Sequence, residues 1–250
     1  VIRGLFLTDT HLRHGQDEHP AYSAVKAFAK AWKPDLTLHG GDIGDWDFIS
    51  VFNKDNLKAL SGKTFKAEYE LINREVDYWQ SVSKQFVLLL GNHDERVYTA
   101  AEKAPMLEGL IEPEFVIMPV ERGIKMFRRT EQPYRVGKLA FLHGWYYSKY
   151  HCTRHLDAYS GNIVYGHVHD FSCASKTLVA HGQEIQAWSI GCLCDLAPEY
   201  KEGMPSGWQH GFAAFYIRDN GDFSLYPVNI VRSRFTFEGK TWGPKGLERK

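Results

Sequence analysis

The stretch that decides the fold is Phe86-Val87-Leu88-Leu89-Leu90-Gly91-Asn92-His93-Asp94. Five apolar residues read as a buried strand. Glycine then permits a sharp exit, and the chain presents an amide, an imidazole and a carboxylate in succession. Working outward, the same grammar recurs four times. Residues 4–8 run into Asp9-Thr10-His11, 36–38 into Gly40-Gly41-Asp42, 139–142 into His143-Gly144, and 163–165 into Gly166-His167-Val168-His169. In α/β sheets, ligand groups gather at the carboxyl ends of neighbouring strands. Five such ends can therefore meet at one point although tens of residues separate them.

The elements between these ends complete an α/β pattern. Helical spacing appears over 21–32, 48–60, 65–82 and 95–107, and strands over 1–8, 35–39 and 85–90. Residues 115–136 read as short strands and loops. Three hairpins follow: 134–136 with 139–142, 177–180 with 184–190, and 212–218 with 223–228. Without repeats or linkers, residues 1–250 read as one domain, a sandwich of mixed sheets with helices outside.

Composition narrows the function. The 250 residues are 44% hydrophobic and 24% charged, which excludes wholesale disorder. Lys+Arg and Asp+Glu are 30 each, so the formal charge is zero. Binding nucleic acid by counterion release calls for a basic excess, which leaves room only for local basic patches. Arg3, Arg128, Arg129, Lys240, Lys245, Arg249 and Lys250 form such spots, the last four reading as a solvated tail. No apolar run approaches the roughly 18 residues of a membrane span, and the opening strand is too short for a leader. A cytoplasmic location is expected. Cys152, Cys173, Cys192 and Cys194 form no C-x-x-C pair and read as buried free thiols.

The recurrent clusters suit two metal ions. Imidazole, carboxylate and amide oxygen ligate Mn²⁺, Fe or Zn²⁺. Asp9 and His11 lie two apart, as do His167 and His169, so extended chain puts each pair on one side. Asp42 is the candidate bridge because a carboxylate has two oxygens. Two divalent ions offset by Asp9 and Asp42 leave a positive centre that attracts phosphate. Water bound there ionises near pH ~7.

These motifs resemble the calcineurin-like metallophosphoesterase superfamily, whose pattern is D-x-H, G-D, G-N-H-[DE], H and G-H-x-H. The resemblance spans residues 9 to 169. It implies a four-layer αββα sandwich of two mixed β-sheets flanked by helices. Asp9, His11 and His169 would hold one metal, Asn92, His143 and His167 the other, and Asp42 would bridge. Mn²⁺ is expected first, with Fe, Zn²⁺, Ni²⁺ or Co²⁺ as alternatives. His93 would contact the phosphate or protonate the leaving oxygen, Asp94 would orient His93, and a metal-held hydroxide would attack phosphorus in line. Purple acid phosphatases carry tyrosine where this chain has Asp45, which argues against a purple ferric site. Gly41-Asp42-Ile43-Gly44-Asp45 and Asp94 look more like the phosphodiesterase and Mre11-type nuclease branches.

The expected function is two-metal hydrolysis of phosphate esters, phosphodiesters first, with a DNA/RNA nuclease or phosphomonoesterase as alternative and a non-catalytic metal-binding scaffold behind them. The partner is a phosphate-ester substrate, a nucleotide or nucleic acid among the options; no membrane or protein partner is deducible. Substrate-binding candidates are Asn92, Arg96, Trp145, Lys149 and Arg154. Residues 145–155 read either as a base-stacking, phosphate-holding strip or as an amphipathic helix with tyrosines inward. Arg96 would reach phosphate or pair with Glu95 or Asp94. Trp208 and His210 belong to a loop that lines the rim or lies on the surface. Two helices between Asp42 and Asn92 read first as plain packing.

Overall fold

The computed structural model describes residues 1–51, 53, 55, 60–198 and 206–248. A six-stranded mixed sheet has the order β11-β10-β1-β2-β3-β4. Its members are β1 (Ile2–Leu7), β2 (Leu36–His39), β3 (Gln85–Leu89), β4 (Lys125–Phe127), β10 (His210–Ile217) and β11 (Phe223–Ile230). A five-stranded sheet has the order β5-β6-β7-β9-β8. It comprises β5 (Tyr134–Val136), β6 (Leu139–Leu142), β7 (Asn162–Tyr165), β8 (Phe171–Leu178) and β9 (Gln183–Ile190). β1, β2, β3 and β4 run parallel, as do β6, β7 and β9.

Strand alternation builds the layers. Phe6, Leu38, Val87 and Leu89 face Phe141, Val164 and Ile190 between the sheets. Leu5, Leu7 and Leu88 point the other way, toward α1 (Pro20–Trp32) and α2 (Phe65–Val82). On the far side, Leu142, Ile163 and Tyr165 pack on Cys152 and Leu156 of the helix His151–Tyr159. The result is the expected four-layer αββα sandwich of two mixed sheets. α1 starts with proline at its first turn and the His19 side chain accepting from the Ala21 N–H, and stops at left-handed Lys33.

Several local expectations change. Of the helix expected over 48–60, Phe48 and Ile49 belong to a 3₁₀ turn, Asp47–Ile49, the described residues 51, 53 and 55 are in turns and Leu60 is helical; residues 52, 54 and 56–59 lie outside the described set. The expected helix at 95–107 closes early as α3 (Arg96–Lys103), and Pro105 starts a 3₁₀ turn. Residues 115–136 include helical turns as well as strands: α4 (Pro113–Val116) and α5 (Pro119–Arg122) each begin with a proline, which is tolerated at the first helical position. The helix His151–Tyr159 is α6. β8 begins six residues earlier than expected because backbone pairing with β9, from Phe171↔Ile190 to Leu178↔Gln183, carries a polar segment. The basic tail is not merely solvated: β12 (Phe235–Phe237), β13 (Lys240–Gly243) and β14 (Gly246–Leu247) set Phe235 and Trp242 against Phe28 of α1. Arg249 and Lys250 fall outside the described residues. Cys152, Cys192 and Cys194 are buried free thiols, but Cys173 is exposed. Among the described residues, no helix is long and apolar enough to cross a membrane.

Candidate metal centre

Parallel strands end at one edge of their sheet, and here the ligand-bearing edges of both sheets meet. Asp9 N–H donates to the Gly41 carbonyl (3.0 Å) and Gly166 N–H to the His143 carbonyl (3.0 Å). Asp9 also bridges the sheets: its Oδ2 accepts from the His167 N–H (2.9 Å). Gly166 and Gly91 permit this approach. A Cβ on Gly166 would collide with Asp9 Oδ2, and one on Gly91 with Asp42 Oδ1. Asp9, His11, Asp42, His167 and His169 all adopt left-handed backbone, with φ between 43° and 69°. Such conformations persist in non-glycine residues only where surrounding contacts over-determine them.

The seven candidate ligands form two groups with one member in common. Asp9, His11 and Asp42 converge, as do Asp42, His143 and His167. His169 joins the first group: its Nε2 lies 3.2 Å from His11 Nε2 and 3.1 Å from Asp9 Oδ1. Asn92 joins the second, with Oδ1 2.9 Å from His143 Nε2. Asp42 presents one oxygen to both, Oδ2 being 3.7 Å from His11 Nε2 and 3.4 Å from His143 Nε2. Its other oxygen, Oδ1, accepts from the His93 N–H at 2.7 Å.

Donor chemistry fits cations at these positions. His143 Nδ1 lies 2.9 Å from the Gly40 carbonyl and His11 Nδ1 2.9 Å from Asp45 Oδ1. Both partners only accept, so each Nδ1 carries the proton and each Nε2 points inward, where it would ligate a cation. Nitrogen and oxygen ligand atoms thus face one another in a buried space. Burial opposes charge on Asp9 and Asp42, but His169 beside the former and His143 beside the latter hold both below the ordinary carboxylate range. Burial and then His143 push His167 down to about 3.

His93 sits beside the centre, its ring 4.5 Å from that of His11. Asp94 does not orient it. The Asp94 carboxylate accepts from the backbone N–H groups of Gly91 (2.9 Å), Ile43 (3.4 Å) and Gly44 (3.4 Å), and from the Trp46 indole (3.2 Å). It ties two ligand loops together. His93 Nδ1 instead faces Asp45, 2.9 Å from its carbonyl and 3.1 Å from Oδ1. The same carboxylate holds His11 and accepts from Arg13 Nε (2.8 Å). Sequence reading missed this junction, although the three-residue spacing from Asp42 was its signal. It also missed His39, which burial pushes down to about 3 and which braces Gly41 N–H (3.2 Å) and Thr10 Oγ1 (3.0 Å).

The remaining candidates scatter. Arg96 pairs with neither Glu95 nor Asp94; it donates to the Asp45 carbonyl (2.9 Å) and lies 3.0 Å from His93 Nε2. Glu95 is taken by Arg128. Trp145 flanks the second ligand group under Arg129. Lys149 and Arg154 lie over the rings of Tyr150 and Tyr146. The tyrosines of this stretch do not all turn inward: Tyr147 and Tyr150 are exposed, while His151, Cys152, His155 and Leu156 supply the buried face of α6. Trp208 does reach the site, its ring 4.2 Å from that of His169, and helps line a cavity of about 460 Å³ beside His11 and Asp45. His210 is buried in β10, with Nε2 2.8 Å from the Cys194 carbonyl. Pro205, from the same expected loop, lies outside the described residues. The Asp42–Asn92 interval contributes α2, whose Tyr69, Ile72, Val76 and Trp79 are core.

The sequence profile of the calcineurin-like phosphoesterases matches residues 2–171, and the chain belongs to that family. No curated protein matches it in sequence. Among solved structures it is similar to wild-type Vps29 from Entamoeba histolytica complexed with Zn²⁺, at 10% identity and a TM-score of 0.50, covering 97% of this chain and 99% of that one. It is also similar to Vps29 from Chaetomium thermophilum, at 13% identity and a TM-score of 0.49, with 93% of each chain covered. The Entamoeba likeness is one of fold.

Proposed function

We propose that this protein hydrolyses phosphate esters, phosphodiesters first, at a centre of two divalent cations. The observation that carries the reading is the pair of ligand groups sharing Asp42, with His93 placed beside them. Asp9, His11, Asp42 and His169 would hold one cation, and Asp42, Asn92, His143 and His167 the other. Mn²⁺ is the cation expected first, with Fe, Zn²⁺, Ni²⁺ and Co²⁺ as alternatives that the same nitrogen and oxygen ligands suit. When bound, the cations would attract phosphate, acidify water and stabilise developing charge.

The chain's own groups supply the rest. Asp45 fixes His93 through Nδ1, and Arg96 caps Nε2. An arriving phosphate competes for Arg96 and leaves Nε2 free to take up a proton from solvent, which it would then deliver to the leaving oxygen. The diester preference draws support from the cavity beside Trp208, which gives room for one ester arm, and from the partly exposed Trp145 beyond His143.

The test is hydrolysis of bis(p-nitrophenyl) phosphate and p-nitrophenyl phosphate with Mn²⁺. Asp42→Asn abolishes turnover; His93→Ala lowers it by about 10²–10⁴-fold while bound metal is retained. Full activity in Asp42→Asn sinks the assignment. Two cations bound without turnover of any ester would favour a metal-binding scaffold.

A further inference from the structure

On the His143 and His167 flank, a tryptophan is displayed instead of buried. Trp145 remains 39% exposed, yet its surroundings are fixed. The Arg129 guanidinium covers the indole at 4.1 Å and donates from Nε (3.2 Å) and Nη2 (2.5 Å) to the Gly144 carbonyl. The Trp145 N–H donates to Nε2 of His155 (3.1 Å). That fully buried ring is anchored in turn through Nδ1 to the His151 carbonyl (2.8 Å). Burial pulls His155 down to about 4, so its Nε2 keeps the lone pair this bond needs.

Charge distinguishes this flank from the other. The Trp208 cavity is lined by Asp17, Glu18, Asp45 and Asp195, and its Arg13 is paired with Asp45. On the Trp145 flank, the half-buried Arg129 interacts electrostatically with Asp42 and Asp9, so its charge reaches the centre. Its neighbour Arg128 is engaged by Glu95 and Tyr98. Tyr147 adds a second exposed ring, 6.4 Å from that of His167. A pinned aromatic face beside a guanidinium suits a flat ring joined to a phosphate, since bases stack on aromatic side chains and arginine binds phosphate oxygens.

We propose that Trp145 and Arg129 form a subsite for the nucleoside arm of the phosphate ester, Trp145 stacking the base and Arg129 contacting a phosphate oxygen. This rests on the phosphate-ester reading above. The experiment is calorimetric titration of the Mn²⁺-loaded full chain with thymidine 5′-phosphate and with methyl phosphate. Thymidine 5′-phosphate binds about tenfold or more tighter. Trp145→Leu brings the ratio near one without changing methyl phosphate affinity, Trp145→Phe retains most of it, and Arg129→Lys weakens both ligands. A ratio near one in the unmodified protein, or one untouched by Trp145→Leu, overturns the subsite. If methyl phosphate still binds in that case, the metal-centre reading stands; if neither ligand binds, both readings fail.

Discussion

Replacing Glu68 by glutamine should remove a pH-dependent weakness from the fold. Glu68 lies on α2, fully buried. One oxygen accepts from the His14 N–H at 3.3 Å; the other has no hydrogen-bond partner among the described residues. Burial pushes its carboxyl up to about 7 from an ordinary 4.5. Because the folded-state pKa is the higher, the native state binds the proton more tightly. The associated stability is fully present below pH 4.5 and is lost as pH rises through about 7. At about 1.4 kcal/mol per pH unit, ionisation costs roughly 2–3 kcal/mol at pH 8. Glutamine cannot ionise, and the constant cost of its unpaired amide cancels when two pH values are compared. Urea denaturation of both proteins in chelator, at pH 4.5 and pH 8, should show the variant gaining roughly 2–3 kcal/mol relative to the parent between the two conditions. In thermal melts that is a relative shift of about 5–10 °C. An equal stability difference at both pH values would refute the reasoning.

Asp45→Asn should weaken the proposed cation site at Asp9, His11 and His169 by about 10–100-fold, because Asp45 fixes the His11 ring; Mn²⁺ titration that finds the affinity unchanged would remove Asp45 from that role. Gly166→Ala drives a methyl into Asp9 Oδ2 and should cost about 3 kcal/mol or more together with metal binding, so a parent-like melt with full metal content would contradict the packing. Asp94→Asn points an amide at backbone donors and should lower stability by about 2 kcal/mol, with its effect on turnover smaller than that of His93→Ala. The opposite ranking in paired melts and rate measurements would restore Asp94 as the partner of His93.

What could be read directly was local and periodic. The unbroken apolar run in residues 85–90 and the helical spacing in 65–82 gave the elements within a residue, because the strand is buried on both faces and the helix buries one face along its length. Polar segments escaped. β8 is held by a ladder of backbone bonds that leaves little hydrophobic trace, and Pro113 and Pro119 punctuate the chain equally well as loop signals or as first helical residues.

By itself, the sequence determined the inventory of the candidate centre: five apolar runs, each ending in nitrogen or oxygen donors, with glycine where backbones must touch. Donor type depends on side-chain chemistry, which needs no coordinates. Only the tertiary structure decided the partners. It gave His93 to Asp45 instead of the adjacent Asp94, bound Asp42 Oδ1 to a backbone N–H, and brought Trp208 against His169 across the fold. Neighbours in sequence need not be neighbours around a turn, because left-handed backbone at Asp42 and its fellow ligands redirects successive side chains. A hydrogen bond depends on that direction to within about an ångström.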